Sequence, residues 1–222
     1  IAELEELELV YGDILEEDRE GMREVPTSIW VAGVPESVSY NGTKQMFNLR
    51  VYDGNKLLRE KKDYTVSYKN NQNVSNYSEK QLADWIAAGK DISTQDKKLF
   101  AKVPQVILKM KGDYTGTKTS YFHINQKSIS DNDLSADDIY VNYNKGKVQK
   151  PAVTLLFNGK KLGKKDFYVE EYNAAKDTEV YKTLCGTDGE TTTVTLHLKG
   201  DGNFTGERTV TLAIAQKNKD VA

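Results

Sequence analysis

Two histidines, one cysteine, a run of aspartates and a few unpaired aromatics are the residues of this 222-residue chain whose types could carry chemistry. Cys185 with His197 would form a nucleophile–base pair if the fold joined them and a third group oriented the imidazole. Cys185 stands in Thr183-Leu184-Cys185-Gly186-Thr187, where a partly buried free thiol is the simpler reading. A zinc site needs three or four converging ligands. His123, His197 and one thiol, spread over the chain, do not supply them, so no catalytic, cofactor-binding or metal-ligating residue is assigned. Asp131, Asn132, Asp133, Asp137 and Asp138 could contribute to the six to eight oxygens that Ca2+ takes, which would stiffen an inter-domain linker; a solvated linker is the alternative. Gly112-Asp113-Tyr114-Thr115-Gly116 and Gly200-Asp201-Gly202-Asn203-Phe204-Thr205-Gly206 look like phosphate loops. They lack the Gly-Lys-Ser/Thr ending and a following helix, and read as tight turns. Trp85, Tyr64 and Tyr68 are the candidate ligand contacts, with Phe167 and Tyr172 a second aromatic pair; core and corner roles compete for all of them.

The elements that position these residues come in two copies. Tyr40-Asn41-Gly42, Lys62-Asp63-Tyr64-Thr65-Val66 and Gly112 to Gly116 return as Tyr143-Asn144-Lys145-Gly146, Lys165-Asp166-Phe167-Tyr168-Val169 and Gly200 to Gly206. Asp63 to Asp166 and Tyr40 to Tyr143 share one spacing, 103 residues. Fixed-period similarity marks repeated structural units. Alternating runs such as Phe47-Leu49-Val51, with Asp53-Gly54 and Asn158-Gly159 as hairpin signals, predict strands. An active site needs one constellation rather than two half-kept copies.

The first copy is longer between its aspartate motif and its glycine turn. The excess falls at about 78–100. There Ser78-Glu79-Lys80-Gln81 is a capping box, and Leu82, Trp85 and Ile86 form an apolar helical stripe that Gly89 would stop. The sequence predicts an all-β chain of two sandwich domains, the first with a short inserted helix. Its parts are an acidic N-terminal segment over 1–24 (a helix or the remnant of a preceding domain), domain 1 over 25–125, a linker over 126–138, domain 2 over 139–217 and a tail over 218–222. A formal charge of −2 gives no field that would draw nucleic acid. No run of eighteen apolar residues is present to span a membrane. With one cysteine an intramolecular disulfide is impossible.

At Tyr40-Asn41-Gly42-Thr43-Lys44, Asp63-Tyr64-Thr65-Val66-Ser67-Tyr68-Lys69-Asn70-Asn71 and Gly112-Asp113-Tyr114-Thr115-Gly116 the chain resembles the tandem bacterial immunoglobulin-like repeats of Firmicutes cell-surface proteins. The resemblance covers most of 28–216 and leaves out the inserted helix, the Cys185 loop and 1–24. It implies Ig-like sandwiches, a location outside the cell (surface-bound or secreted) and a non-catalytic role as stalk, spacer or adhesion unit. The partners it implies are other domains of the same polypeptide and host or cell-wall glycan or protein. Two alternatives stay open: a glycan- or protein-recognition module that uses the insertion of domain 1, and an accessory domain of a larger secreted enzyme. Surface sandwiches of Gram-positive bacteria sometimes carry a Lys–Asn cross-link made by a buried acid, and no such triple can be picked from this sequence.

Overall fold

The computed structural model describes residues 25–88 and 91–216. The expected acidic segment 1–24, the Gly89 helix stop and the 218–222 tail lie outside the described residues. The chain divides into two compact units that meet at Asn125 and Gln126. Both are built mostly of β-strands in several sheets, with few helices.

The first unit contains β1 (Ile29–Ala32), β2 (Ser37–Ser39), β3 (Arg50–Asp53), β4 (Lys56–Leu57), β5 (Tyr64–Lys69), helices α1 (Glu79–Ala88) and α2 (Thr94–Phe100), β6 (Gln105–Met110), β7 (Thr117–Tyr121) and β8 (His123–Asn125). Strands β1-β3-β4 form one antiparallel sheet and β5-β6-β7 another. Strand β2 runs parallel to the unit's last strand, β8. Alternation sets which residues turn inward. Ile29, Val51, Leu58, Tyr64, Leu108 and Met110 form one core cluster, and Val106, Phe122 and Ile124 a second. The turn between β3 and β4 sits one residue later than the Asp53-Gly54 signal implied: Asp53 pairs with Lys56, so the two-residue loop is Gly54-Asn55, and of Asp53 and Gly54 only the glycine takes positive φ.

Helix α1 begins as its sequence dictates. The Ser78 Oγ accepts the Gln81 N–H at 3.1 Å, and the Gln81 side chain accepts the Ser78 N–H at 2.8 Å. Ser93 caps α2 through the Asp96 N–H. The two helices bury Leu82, Trp85 and Phe100 with Tyr77, Ile92 and Val103, a third apolar cluster with Ile86, Leu99 and Tyr121 at its margin.

The second unit contains β9 (Lys127–Ser128), β10 (Leu134–Ala136), β11 (Ile139–Asn142), β12 (Leu155–Phe157), β13 (Lys160–Lys161), β14 (Phe167–Val169), a 3-10 helix (Glu170–Asn173), helix α3 (Glu179–Cys185), β15 (Thr192–Gly200), β16 (Phe204–Thr205) and β17 (Glu207–Ala215). Its main sheet runs β11-β17-β15-β14, with β11 parallel to the last strand, β17. Two differences from the sequence reading stand out. The 126–138 stretch is not a free linker. Lys127 and Ser128 pair with Phe204 and Thr205, and Leu134 to Ala136 pair with β12. Leu134 is buried there, so this stretch belongs to the second unit's own fold. The second unit also has its own helix where a Cys185 loop was expected. Thr178 Oγ1 caps it by accepting the Tyr181 N–H, and Leu184 is fully buried.

Candidate functional site

In the first unit, the chain leaves β5 through Asn70, which takes the left-handed conformation at φ 53°. Its side-chain amide donates to the Ala101 and Val103 carbonyls at 3.1 and 3.2 Å, which ties this corner to the end of α2. Asn71 is buried. It donates from Nδ2 to the Gln45 carbonyl at 2.6 Å, and its own carbonyl accepts the Gln45 N–H. Buried amides of this kind are costly unless satisfied, and here they pin three loops together.

Between this corner, the 71–77 segment and the end of α2 lies a cleft of about 500 Å³. Its walls include Lys44, Tyr68, Gln72, Asn73, Asn76 and Lys102, and its base reaches Tyr77 and Leu99. No carboxylate lines it. Gln72, Asn73, Asn76 and both lysines are exposed. Neither lysine makes an ion pair with a described residue. Burial pushes the Tyr77 phenol up to about 12, against the opposing pull of the Ser75 hydroxyl. Tyr77 is therefore a neutral part of the wall at physiological pH.

The aromatic candidates divide. Trp85 is 5% exposed and packs edge-on to Phe100, with ring centroids 6.2 Å apart, and beside Tyr77 at 5.0 Å. It anchors the insertion, and a ligand contact at Trp85 is ruled out by that burial. Tyr64 is 4% exposed and belongs to the core around Ile29 and Leu108. Tyr68 does line the cleft. Its hydroxyl is held by the Phe47 backbone, accepting the N–H at 3.0 Å and donating to the carbonyl at 3.4 Å. Phe167 is buried, and the Tyr172 hydroxyl donates to the Pro151 carbonyl at 2.7 Å. The residues that sequence reasoning missed are Lys44, Gln72, Asn73, Asn76 and Lys102. The density of amides from Asn70 to Asn76 was the available signal.

The second unit concentrates charge at Glu170, Glu171, His197, Lys199 and Glu207. The ligand atoms of Glu170, Glu171 and His197 lie within 4.8 Å of one another. This cluster is closed on itself. Glu171 accepts the His197 backbone N–H at 2.8 Å and the Nδ1–H at 2.5 Å. Lys199 sits against Glu170 at 3.3 Å and pairs with Glu207, so an ammonium already stands where a cation would be wanted. His197 and Cys185 do not form a pair: the imidazole is committed to Glu171, and the thiol donates to the Tyr181 carbonyl within α3.

The Glu171 hydrogen bond holds the His197 imidazolium and raises its pKa above the ordinary 6.5. A raised histidine pKa adds stability that is fully present below the unfolded value and fades as pH climbs through the folded one. The side chain is 37% exposed, so screening keeps the effect small. An NMR titration of the His197 ring is expected to give a midpoint above 6.5, and Glu171→Gln to lower it. An unchanged midpoint in that variant would remove Glu171 as the cause.

Three of the four aspartates expected to chelate calcium are engaged within the unit. Lys127 pairs with Asp131 at 2.8 Å and Asp133 at 3.0 Å, while Asp138 accepts the Thr211 N–H. Arg208 binds the Ile129 and Asp131 carbonyls. Lys127 neutralises two of these carboxylates and a backbone amide holds a third, which weighs against the calcium reading. No lysine is buried among the described residues, so the buried Lys–Asn cross-link lacks its lysine there. The glycine loops turn on positive φ at Gly112, Gly116, Gly202 and Gly206. Their amides serve the turns: the Met110 N–H donates to Gly116, the Gly200 N–H to Gly206 and the Phe204 N–H to Asp201.

Among the described residues no helix is long and apolar enough to cross a membrane. No protein-family model matches the chain, and no curated protein does. Among solved structures, a crystal structure of the protocadherin GammaB4 extracellular domain is similar at a TM-score of 0.27 and 12% identity, over 90% of this chain and 35% of that one. The chain thus spans about a third of that neighbour's length, and a likeness at that score carries no functional argument.

Proposed function

We propose that the chain is a pair of tandem Ig-like sandwich domains and serves as a non-catalytic extracellular module of a bacterial surface protein, a stalk, spacer or adhesion unit beside other domains. The observation that carries this reading is the reuse of one internal wiring plan. In each unit a tyrosine hydroxyl after the aspartate motif is tied to backbone 21 residues upstream, Tyr68 to Phe47 and Tyr172 to Pro151. Each aspartate carbonyl, of Asp63 and of Asp166, accepts an N–H at the glycine turn, from Lys111 just before the first turn and from Asp201 within the second. Each unit also pairs an early strand in parallel with its last strand. Residues that could do chemistry are spent on this wiring: His197 on Glu171, Lys127 on two aspartates, Asn71 on Gln45. Catalysis needs a converging set of acid, base and nucleophile, and these groups serve the scaffold instead.

The test is location. An antibody raised against this chain is expected to label intact cells of the source organism as strongly as permeabilised ones. Labelling only after permeabilisation would overturn the extracellular reading. The cleft of the first unit favours a second reading beside the first, in which that unit also recognises a ligand. Its lining is polar and preorganised by the satisfied amides of Asn70 and Asn71, and small-ligand sites are concave, largely pre-formed and of this size.

A further inference from the structure

We propose that the cleft beside the insertion binds an acidic oligosaccharide, with Lys44 and Lys102 meeting the sugar carboxylate and Gln72, Asn73 and Asn76 meeting the hydroxyls; this rests on the recognition reading of the first unit. The charge in the lining has one sign. Two exposed lysines enter it from different loops, no acidic residue lines it, and neither lysine is neutralised by a described residue. Some lysines elsewhere are ion-paired, Lys80 with Asp84, Lys127 with Asp131 and Asp133, Lys182 with Glu179, and Lys199 with Glu170 and Glu207, but none of them lines this cleft. Two unpaired ammonium groups facing one concavity favour an anion through attraction, and the attraction weakens with salt.

The rest of the lining selects the kind of anion. A primary amide carries both donors and an acceptor, which suits a hydroxyl that gives and takes a hydrogen bond. Exposed Gln72, Asn73 and Asn76 offer three such groups in five residues. The scaffold under them is fixed. Asn70 grips the end of α2, Asn71 grips Gln45, and Tyr68 is held by Phe47. Binding therefore orders little beyond the side-chain tips, which limits its entropic cost. An acidic peptide would also answer the lysines. It would want apolar pockets for alternate side chains or a strand edge to extend, and this cleft offers mainly amides, two tyrosines and two lysines, with Val74 and Leu99 its aliphatic residues.

Isothermal titration calorimetry on the intact chain separates these outcomes. The probes are a hyaluronan tetrasaccharide, sialyllactose, neutral lactose and a glutamate-rich heptapeptide. The two acidic sugars distinguish a uronic from a sialic source of the carboxylate. At least one is expected to bind, more weakly as salt rises. The double substitution Lys44→Ala, Lys102→Ala should weaken it about tenfold. Lys160→Ala with Lys161→Ala in the second unit should leave it unchanged, and amide chemical shifts should report an intact fold for both variants. Binding of lactose at the cleft with no effect of the lysine pair would overturn the acidic-sugar assignment and leave the recognition reading standing. Tighter binding of the peptide than of either acidic sugar would overturn it in favour of a protein ligand. Absence of amide shift changes around 70–77 with every probe at millimolar concentration would overturn both.

Discussion

Replacing Trp85 with alanine will destabilise the first unit by about 3–5 kcal/mol, the range for removing a large aromatic from a core. The indole is 5% exposed and is the meeting point of the insertion's apolar cluster, touching Phe100 edge-on and leaning on Tyr77. Its loss leaves a cavity between two short helices, neither of which could hold its shape alone at ten and seven residues. The damage should spread, because Tyr77, just ahead of the insertion, is also the residue whose carbonyl accepts the His123 Nε2–H at 2.6 Å, one of the hydrogen bonds to β8 here, beside that of Asn125 to Glu79. Urea denaturation followed at the NMR amide signals of β6 confines the measurement to the first unit. The midpoint should fall with little change in slope, and Trp85→Phe should recover part of the loss. A change below about 0.5 kcal/mol, the scale of a neutral surface substitution, would mean that Trp85 is not an anchor. Exposed Trp30 supplies the contrast. It stacks on Tyr52 at 4.3 Å across β1 and β3 and remains after the substitution as the chain's other tryptophan.

The parts of this molecule that sequence reveals are those decided by local chemistry. Ser78 with Gln81 is a reciprocal cap that two side chains and two amides make by themselves. The glycine turns announce themselves because positive φ is cheap only for glycine. The Asp63 and Asp166 motifs can be aligned because each carboxylate accepts a nearby backbone N–H, from Arg59 and from Gly163. Residues 126–138 were opaque for the opposite reason. Strand β9 is the dipeptide Lys127-Ser128, whose pairing with Phe204-Thr205 is made by backbone groups more than 70 residues away, and no side-chain pattern encodes that. Helix α3 is short and its apolar residues few, so the stretch around Cys185 carried no helical period strong enough to read. The cleft is tertiary throughout. Lys44, Asn73 and Lys102 are remote in sequence, and the amide grip of Asn70 on Ala101 and Val103, with the packing of Phe100 and Val103, brings the last of them round. Helical spacing placed Trp85 on an apolar stripe, yet whether that stripe faced water or Phe100 depended on α2, a separate element.

Gly200→Ala is expected to cost the second unit about 3 kcal/mol, the upper end of what overpacking does. A Cβ at this position would lie 2.6 Å from the Thr205 nitrogen and oxygen and 2.7 Å from its carbonyl carbon. These are backbone atoms and cannot swing aside as a side-chain tip could. The backbone is also held on both sides. Gly200 pairs with Phe167, its N–H donates to Gly206, and Thr205 pairs with Ser128. Relief of the clash therefore opens either the end of β15 or the β9–β16 pairing. The matching control is Gly159→Ala, where φ is +72° and nothing stands within 4 Å of the added carbon. That variant carries only the left-handed penalty, about 1–2 kcal/mol. Urea midpoints read at β15 and β17 amides should rank Gly200→Ala well below Gly159→Ala. Equal losses would show that the close approach of Thr205 is not what demands glycine at position 200. The ranking bears on function as well. A phosphate loop keeps glycine so that a ligand can approach open backbone amides. At Gly200 the space is filled by the chain itself, so inorganic phosphate should protect neither variant. The loop then serves to turn β15 back toward β17.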